Sequence, residues 1–511
     1  MSSRLVRGIL AVLVAANAHG AAAQSRSLPR QLPLGEALAY ARQNSPTYRQ
    51  VLNDEGPASA AVRAAYGALF PTLSGSSGFG YSRAGRQTFA NQVFSQGSPT
   101  VSSSYSIGAS WNLSMRELIA PGQQKAAQRV VEENITGAGV TLTADVTTQY
   151  LAVLRATASV EVARQQLARN EDFLTLARAR QSVGQTTIID VRQAEVGRGR
   201  SQVALLRARQ AETEAKIELL RRLGVAADVG VDSLQLTESF QLVEPKFSLE
   251  TLLQAAGADN PGVRAADAQH ESARYGVRSA KSAYLPSLSV STGLSGFTQQ
   301  YTDINPQLAG ALSSAQGIAD NCSFQNGILS RLTSPHPAPN GGLIADCNSY
   351  AGLDGTGTAL QGDIAQSIRD RNTGWPFSYT RQPWSISAGV SIPLWDGFSR
   401  AQGVSQARAA EDDARESVRA RRLEVAGTVQ ARLGTVRTAF EAATIQETNR
   451  TLAREQLQLA QDRYRVGQGT ALEVTDAQNA VTQAEADYVT AVYDYHQAVV
   501  ALEAAVGRPL R

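Results

Sequence analysis

The chain is predicted to be mainly α with membrane β: long coiled-coil helical hairpins joined to four strands of a transmembrane β-barrel, all built by internal duplication. Three observations predict this. Four stretches alternate apolar residues with Ser and Gly at a period of two. Two proline-free intervals carry apolar residues at a period of seven, and one half of the chain echoes the other.

Residues 1–23 read as a signal peptide. Arg4 and Arg7 precede an apolar run from Ile9 to Ala16, and Ala21, Ala22 and Ala23 supply the small residues that cleavage requires. The run is too short to span hydrocarbon. No cysteine follows the small residues to carry a lipid.

The first structural repeat is predicted over 24–224, with a short helix, strands at about 72–83 and 101–114, and a long helical hairpin at about 122–223. In the first strand Leu73, Phe79 and Tyr81 share one parity, against Ser74, Ser76, Gly78 and Gly80. In the second, Val101, Tyr105, Ile107, Ala109, Trp111 and Leu113 oppose Ser102, Ser104, Ser106, Gly108 and Ser110. A period of two places these sets on opposite faces. An apolar outside with a small polar inside is the pattern of barrel strands around a wet lumen. A soluble sandwich with one solvated face alternates in the same way.

Pro121 to Pro245 and Pro393 to Pro509 contain no proline between them and are rich in Ala, Arg, Glu, Gln and Leu, residues that lose little on entering a helix. Val146, Val153, Val160, Leu167 and Leu174 form one heptad row, Val474, Val481, Tyr488, Tyr495 and Leu502 another, and Ile445, Leu452, Leu459 and Val466 a third. Sustained heptads imply supercoiled neighbours. Sixty such residues reach about 90 Å at 1.5 Å per residue.

Residues 225–247 link the repeats, with Val231, Leu234, Leu236 and Phe240 implying a packed connection. The second repeat, 248–507, is predicted to carry strands at about 286–297 and 384–394, a surface-loop insertion at about 299–380, and a helical hairpin at about 398–506. Its strands repeat the alternation, Leu288, Val290 and Leu294 in one and Trp384, Ile386, Val390 and Leu394 in the other. The duplication shows in Pro46 and Pro71 against Pro261 and Pro286, equally spaced. It shows again in Val183-Gly184-Gln185 against Val466-Gly467-Gln468, at an offset of 283 residues. Cys322 and Cys347 lie in the insertion near Pro335, Pro337 and Pro339. Export favours a disulfide between them over free thiols, worth about 3 kcal/mol on the chain-entropy model. Neither has a second Cys or a His at metal-ligand spacing.

An open sheet leaves edge amides unsatisfied in lipid. Four strands fall short of the eight of a small membrane barrel, so the barrel is shared between chains. Counting alone permits a dimer or anything larger. The net charge of +3, with Arg and acids interspersed along the helices, marks solvated faces and no nucleic-acid partner. An enzyme is not indicated: His270, His336 and His496 are far apart, and no nucleophile elbow, phosphate loop, zinc spacing or cofactor motif occurs. A periplasm-spanning coiled-coil scaffold or adhesin with a β anchor is the alternative, though a solid stalk does not require strands with a Ser and Gly face.

Four motifs in order resemble the TolC-like outer-membrane factors, also called outer membrane efflux proteins. They are Asn260-Pro261, Ala283-Tyr284-Leu285-Pro286-Ser287-Leu288, Pro393-Leu394-Trp395-Asp396-Gly397, and Tyr464-Arg465-Val466-Gly467 before Glu473-Val474. The likeness spans nearly the whole mature chain. It implies a homotrimer with a twelve-strand outer-membrane barrel and a twelve-helix tunnel across the periplasm. It further implies an exit duct for a periplasmic adaptor (a membrane fusion protein) and an inner-membrane transporter, proton-driven RND or ATP-driven ABC. In such proteins the turns matching Val183-Gly184-Gln185 and Val466-Gly467-Gln468 receive the adaptor. Glu473, Asp476 and Asp190 match acidic residues of the periplasmic aperture, and Tyr464 an aromatic that latches it. Gly469 stands where the family has the Arg partner of that aromatic, and Ser114-Met115-Arg116 replaces the Trp-Asp-Gly of the second copy. Without the resemblance, Gly184 and Gly467 read as helix C-caps, Thr187 and Thr470 as N-caps, and the acids as first-turn residues complementing a helix dipole.

Overall fold

A computed structural model describes residues 30–89, 92–96, 98–225, 231, 234–332 and 343–510. The expected signal peptide lies outside these residues. Two compact units are distinguishable, one drawn from the chain up to Val62, Gly122–Val277 and Ser405 onward, the other from Arg63–Pro121 and Arg278–Val404.

The elements begin with β1 (Gln31–Leu32), α1 (Leu34–Asn44), α2 (Pro46–Leu52) and α3 (Glu55–Gly67), where a single short helix is expected. Pro46 opens α2, and a proline at a first helical position ends the preceding helix while starting the next. Then come β2 (Thr72–Ser82), β3 (Gly85–Phe89), β4 (Gln92–Gln96) and β5 (Thr100–Leu113). Helix α4 (Met115–Ser182) starts before the expected boundary and contains Pro121 as its seventh residue, which removes one backbone bond to the Glu117 carbonyl. After α5 (Ile188–Leu223), β6 (Gln235–Leu236) pairs in parallel with β1. The second half holds α6 (Leu249–Asp259), α7 (Pro261–Ser282) and β7 (Ser287–Tyr301), then α8 (Asn305–Leu329), α9 (Cys347–Tyr350) and α10 (Gly362–Arg371). It ends with β8 (Thr380–Arg381), β9 (Ser385–Ser391), α11 (Ser399–Arg465) and α12 (Ala471–Val506). No described helix is long and apolar enough to cross a membrane.

In the helical unit, the duplication offset relates buried positions as well as motifs. Leu142, Val146, Val153, Leu219 and Leu223 sit in one core cluster, and Val425, Val429, Val436, Leu502 and Val506 in a second, each 283 residues on. The same heptad stripe is therefore buried twice. Tyr150 is fully buried, its hydroxyl donating to Leu32 O at 2.9 Å.

The other unit is organised by one antiparallel sheet. β2 pairs with β5, β5 with β7, and β7 with both β8 and β9. Register settles which residues share a face. Ser76 lies opposite Ser106, Ser106 opposite Ser295, and Ser291 opposite Ser387; Ile107 lies opposite Leu294, and Thr292 opposite Ile386. One face is thus mostly Ser, Thr and Gly across all four strands, with Asn112 on β5 and Phe297, Gln299 and Tyr301 toward the far end of β7. Oγ pairs bridge the strands there: Ser76 to Ser106 at 2.8 Å, Thr72 to Ser110 at 2.9 Å, Ser291 to Ser387 at 2.7 Å. On the opposite face Leu73, Ile107, Ile386 and Val390 are more than half exposed. Among the described residues β2 and β9 each pair along one edge only.

The insertion departs from the expected loop. Helix α8 buries Ala315, Ala319 and Cys322, and Leu312, Ala315 and Ala319 pack with Leu353 and Leu360. Cys322 and Cys347 are disulfide-bonded, Cα to Cα 5.7 Å. Its Ser, Asn and Gly content masked an Ala-rich stripe that suffices once a cross-link closes the segment. β7 also runs to Tyr301, past the expected end, because Asn372 holds Tyr301 N at 2.7 Å and Tyr301 O at 2.9 Å.

Candidate functional site

The residues singled out in the sequence converge at the ends of the two helical hairpins, α4–α5 and α11–α12. After α4 the chain reverses through Gly184 at φ +75°, with Gly184 N donating to Gln181 O at 3.0 Å and Gln185 N to Arg180 O at 2.9 Å. After α11 the same reversal uses Gly467 at φ +82°, with Gly467 N to Tyr464 O at 3.1 Å and Gln468 N to Arg463 O at 2.9 Å. Both are Schellman-type ends requiring a left-handed residue, which explains the two glycines. The turns leave Val183, Ile189, Val466 and Leu472 exposed, each by more than 60%. Gln185 and Gln468 are exposed beside them.

The acids at the two turns are held differently. Asp190 Oδ2 accepts from Thr186 Oγ1 at 2.6 Å, Thr187 Oγ1 at 2.8 Å and Thr187 N at 3.0 Å, and Thr187 Oγ1 caps Asp190 N, a complete capping box. The Thr186 hydroxyl first, and then Thr187, hold the Asp190 carboxyl below the usual aspartate range. At the second turn Thr470 Oγ1 accepts from Glu473 N at 3.2 Å, and the Glu473 carboxylate reaches outward to Arg463 at 3.7 Å. Asp476, one turn further along α12, is exposed. So Asp190 serves its own turn, whereas Glu473 and Asp476 present carboxylates at the surface.

Tyr464 is buried at 3% exposure within a core of Phe173, Leu174, Ala177, Val191, Leu457 and Val474. Its ring lies 5.6 Å from that of Phe173. The Arg180 guanidinium sits over its other side at 4.4 Å, and Arg180 Nη1 donates to the Tyr464 carbonyl. Tyr464 is therefore clamped by an arginine of the other hairpin. A Cβ at Gly469 would stand 3.1 Å from Tyr464 N, a tight contact that requires the backbone there to give by a few tenths of an ångström. Arg180 is a residue the sequence reading missed. The duplication offers a trace of it, since Arg180 and Arg463 are 283 apart.

A second link between hairpins was also missed. Glu485, 5% exposed, accepts at Oε2 from Arg169 Nη2 at 3.2 Å and at Oε1 from Arg454 Nη2 at 2.9 Å. Arg169 lies on α4, Arg454 on α11 and Glu485 on α12. A carboxylate buried in a heptad seam is retained at a desolvation cost only if such partners meet it.

Solved structures share this architecture. The outer membrane protein VceC of Vibrio cholerae superposes with a TM-score of 0.64 at 14% identity, over 94% of this chain and 97% of that one. The MtrE outer membrane channel of Neisseria gonorrhoeae, in its open state, gives 0.62 at 16% identity over 94% and 89%. In sequence, the toluene efflux pump outer membrane protein TtgF of Pseudomonas putida is 28% identical over 201 residues, and the match spans 40% of that relative's length. Residues 37–225 and 360–508 match the model of the outer membrane efflux protein family. An apolar-faced sheet, a hydroxyl-rich opposite face and paired helical hairpins accord with that match, and the chain belongs to the outer membrane efflux protein family.

Proposed function

We propose that three copies of this chain form the exit duct of a tripartite efflux pump or type I secretion system. Each copy adds four strands to a twelve-strand barrel and two hairpins to a periplasmic tunnel. The observation that carries this reading is the sheet. One face is a neutral, hydroxyl-rich wall suited to water, the other is mainly apolar, and its two edges are unpaired among the described residues. In lipid those edges require strands from other copies. The duct is passive, and energy enters at an inner-membrane transporter, either proton-driven (RND) or ATP-driven (ABC).

The exposed Val183, Gln185, Val466 and Gln468 turns are the adaptor's docking points. Glu473 and Asp476 from three chains form rings of negative charge at the aperture, a constriction that favours cations. The Arg180–Tyr464 clamp holds the aperture's helices in register.

Mass measurement of the detergent-solubilised protein tests the assembly, a trimer being expected and a monomer excluding the shared barrel. Photocross-linking from position 183 or 466 in cells should trap a periplasmic adaptor. A trimer that traps none would leave the channel and remove the docking turns.

A further inference from the structure

The helical insertion between β7 and β9 returns to the sheet on its apolar face, away from the hydroxyl wall. Four contacts place it there. The Tyr379 ring stands edge-on to Tyr105 at 4.8 Å, Ser103 Oγ donates to Pro376 O at 2.5 Å, Gly374 lies against Thr298, and Arg381 pairs opposite Gly296. Tyr105 is opposite Gly296 and Ser103 opposite Thr298, two and four residues along the same face from Ile107 and Leu294. Ser103 and Thr298, small and polar on a mainly apolar face, are thereby buried. Within this segment Trp375 and Phe377 are 42% and 73% exposed, and Arg381, which follows it in the chain, is exposed as well.

Depth along the sheet says what covers them. From the helix end of β5 at Leu113 to Ser103 is ten residues. At about 3.3 Å per residue and a tilt of about 40°, that is about 25 Å along the membrane normal, the height of the apolar band of an outer-membrane barrel. The Gly374–Tyr379 segment therefore lies where hydrocarbon gives way to headgroups. Aromatic rings prefer that boundary, and an arginine there meets lipid phosphate.

We infer that Trp375, Phe377 and Arg381 form an outer-leaflet lipid anchor. The disulfide-stapled insertion is mounted on the outside of the barrel rim, leaving the lumen face of the sheet uncovered. This rests on the barrel reading above and is continuous with its lipid face.

The test uses the full chain reconstituted in phospholipid vesicles. Trp111, Trp384 and Trp395 are replaced by Phe, leaving Trp375, and emission is measured with acyl chains brominated near the headgroup or near the methyl end. A parallel chain lacks all four tryptophans and carries Ile386→Trp on the lipid face. Loss of Trp375 emission with the shallow label, and less with the deep one, is expected. If the Ile386→Trp probe is quenched by lipid and Trp375 responds only to aqueous iodide, the anchor is overturned and the barrel stands. If neither is quenched by lipid, the barrel reading itself fails. Should the triple replacement not assemble, Phe377→benzoylphenylalanine in the otherwise unchanged chain serves. Irradiation should add the mass of a lipid, and an adduct at the Ile386 control without one at 377 overturns the anchor.

Discussion

Replacing Glu485 by Gln keeps the side-chain volume and removes the charge between Arg169 and Arg454. Arg169 is then left 19% exposed with no carboxylate, its Nε already without a hydrogen-bond partner and its remaining side-chain bond the 3.3 Å contact to Thr482 Oγ1. Stranding one partner of a buried pair costs about 3–5 kcal/mol. Thr482 offsets part of this, so about 3 kcal/mol is expected. Arg454 is 52% exposed, and Arg454→Gln should cost about 1 kcal/mol, because Glu485 keeps Arg169 as its charged partner. Arg169→Met with Glu485→Met together should be close to neutral, since apolar residues of similar volume avoid both desolvation penalties. The assay is guanidinium-induced loss of helical circular dichroism in detergent at fixed protein concentration. A Glu485→Gln variant within about 0.5 kcal/mol of the parent, the range of an exposed surface change, would refute the reasoning. So would a double variant as damaged as the single.

At the aperture, Glu473→Ala with Asp476→Asn should weaken cation preference and multivalent-cation block in planar bilayers. Each exposed dipole interaction is worth only about 0.3–1 kcal/mol, so the fold survives; unchanged selectivity in an assembled double variant removes both residues from the site. On the sheet, Ile386→Arg should cost about 2–4 kcal/mol near the bilayer midplane while Ser387→Arg is tolerated, read as the yield of assembled protein, and equal damage would contradict the face assignment. The Asp190 carboxyl is held below its ordinary value, so its capping box contributes stability above the unfolded pKa of about 3.9. That contribution fades as pH falls through the depressed folded value. Proteolytic cutting at 183–187 should rise with acid in the parent and change less with pH in Asp190→Asn.

The alternation of β2, β5, β7 and β9 and the heptad rows of α4 and α12 were legible because each is a local periodicity, and burial of one face needs no knowledge of the partner; the expected α11 row of Ile445, Leu452, Leu459 and Val466 is instead 57–70% exposed. The same holds for the reversals at Gly184 and Gly467, where a left-handed residue and a following Thr cap are written into four consecutive positions. The 283-residue offset carried that legibility from one hairpin to the other, down to the buried valines of both cores. The Arg180–Tyr464 clamp and the Arg169–Glu485–Arg454 link were decided only by tertiary structure. Arg180 and Tyr464 are 284 residues apart and Arg169 and Glu485 316, and a single charge in a helix rich in Arg and Glu is indistinguishable from a solvated one until its neighbours are placed. Tertiary structure likewise turned the expected loop of 299–380 into helices, because Ala315 and Ala319 are buried against Leu353, a partner more than thirty residues away that local composition does not reveal. The face of the sheet to which that insertion returns depends on the register between β7 and β8. Moving one residue along a strand exchanges lipid for lumen, and pairing alone decides it.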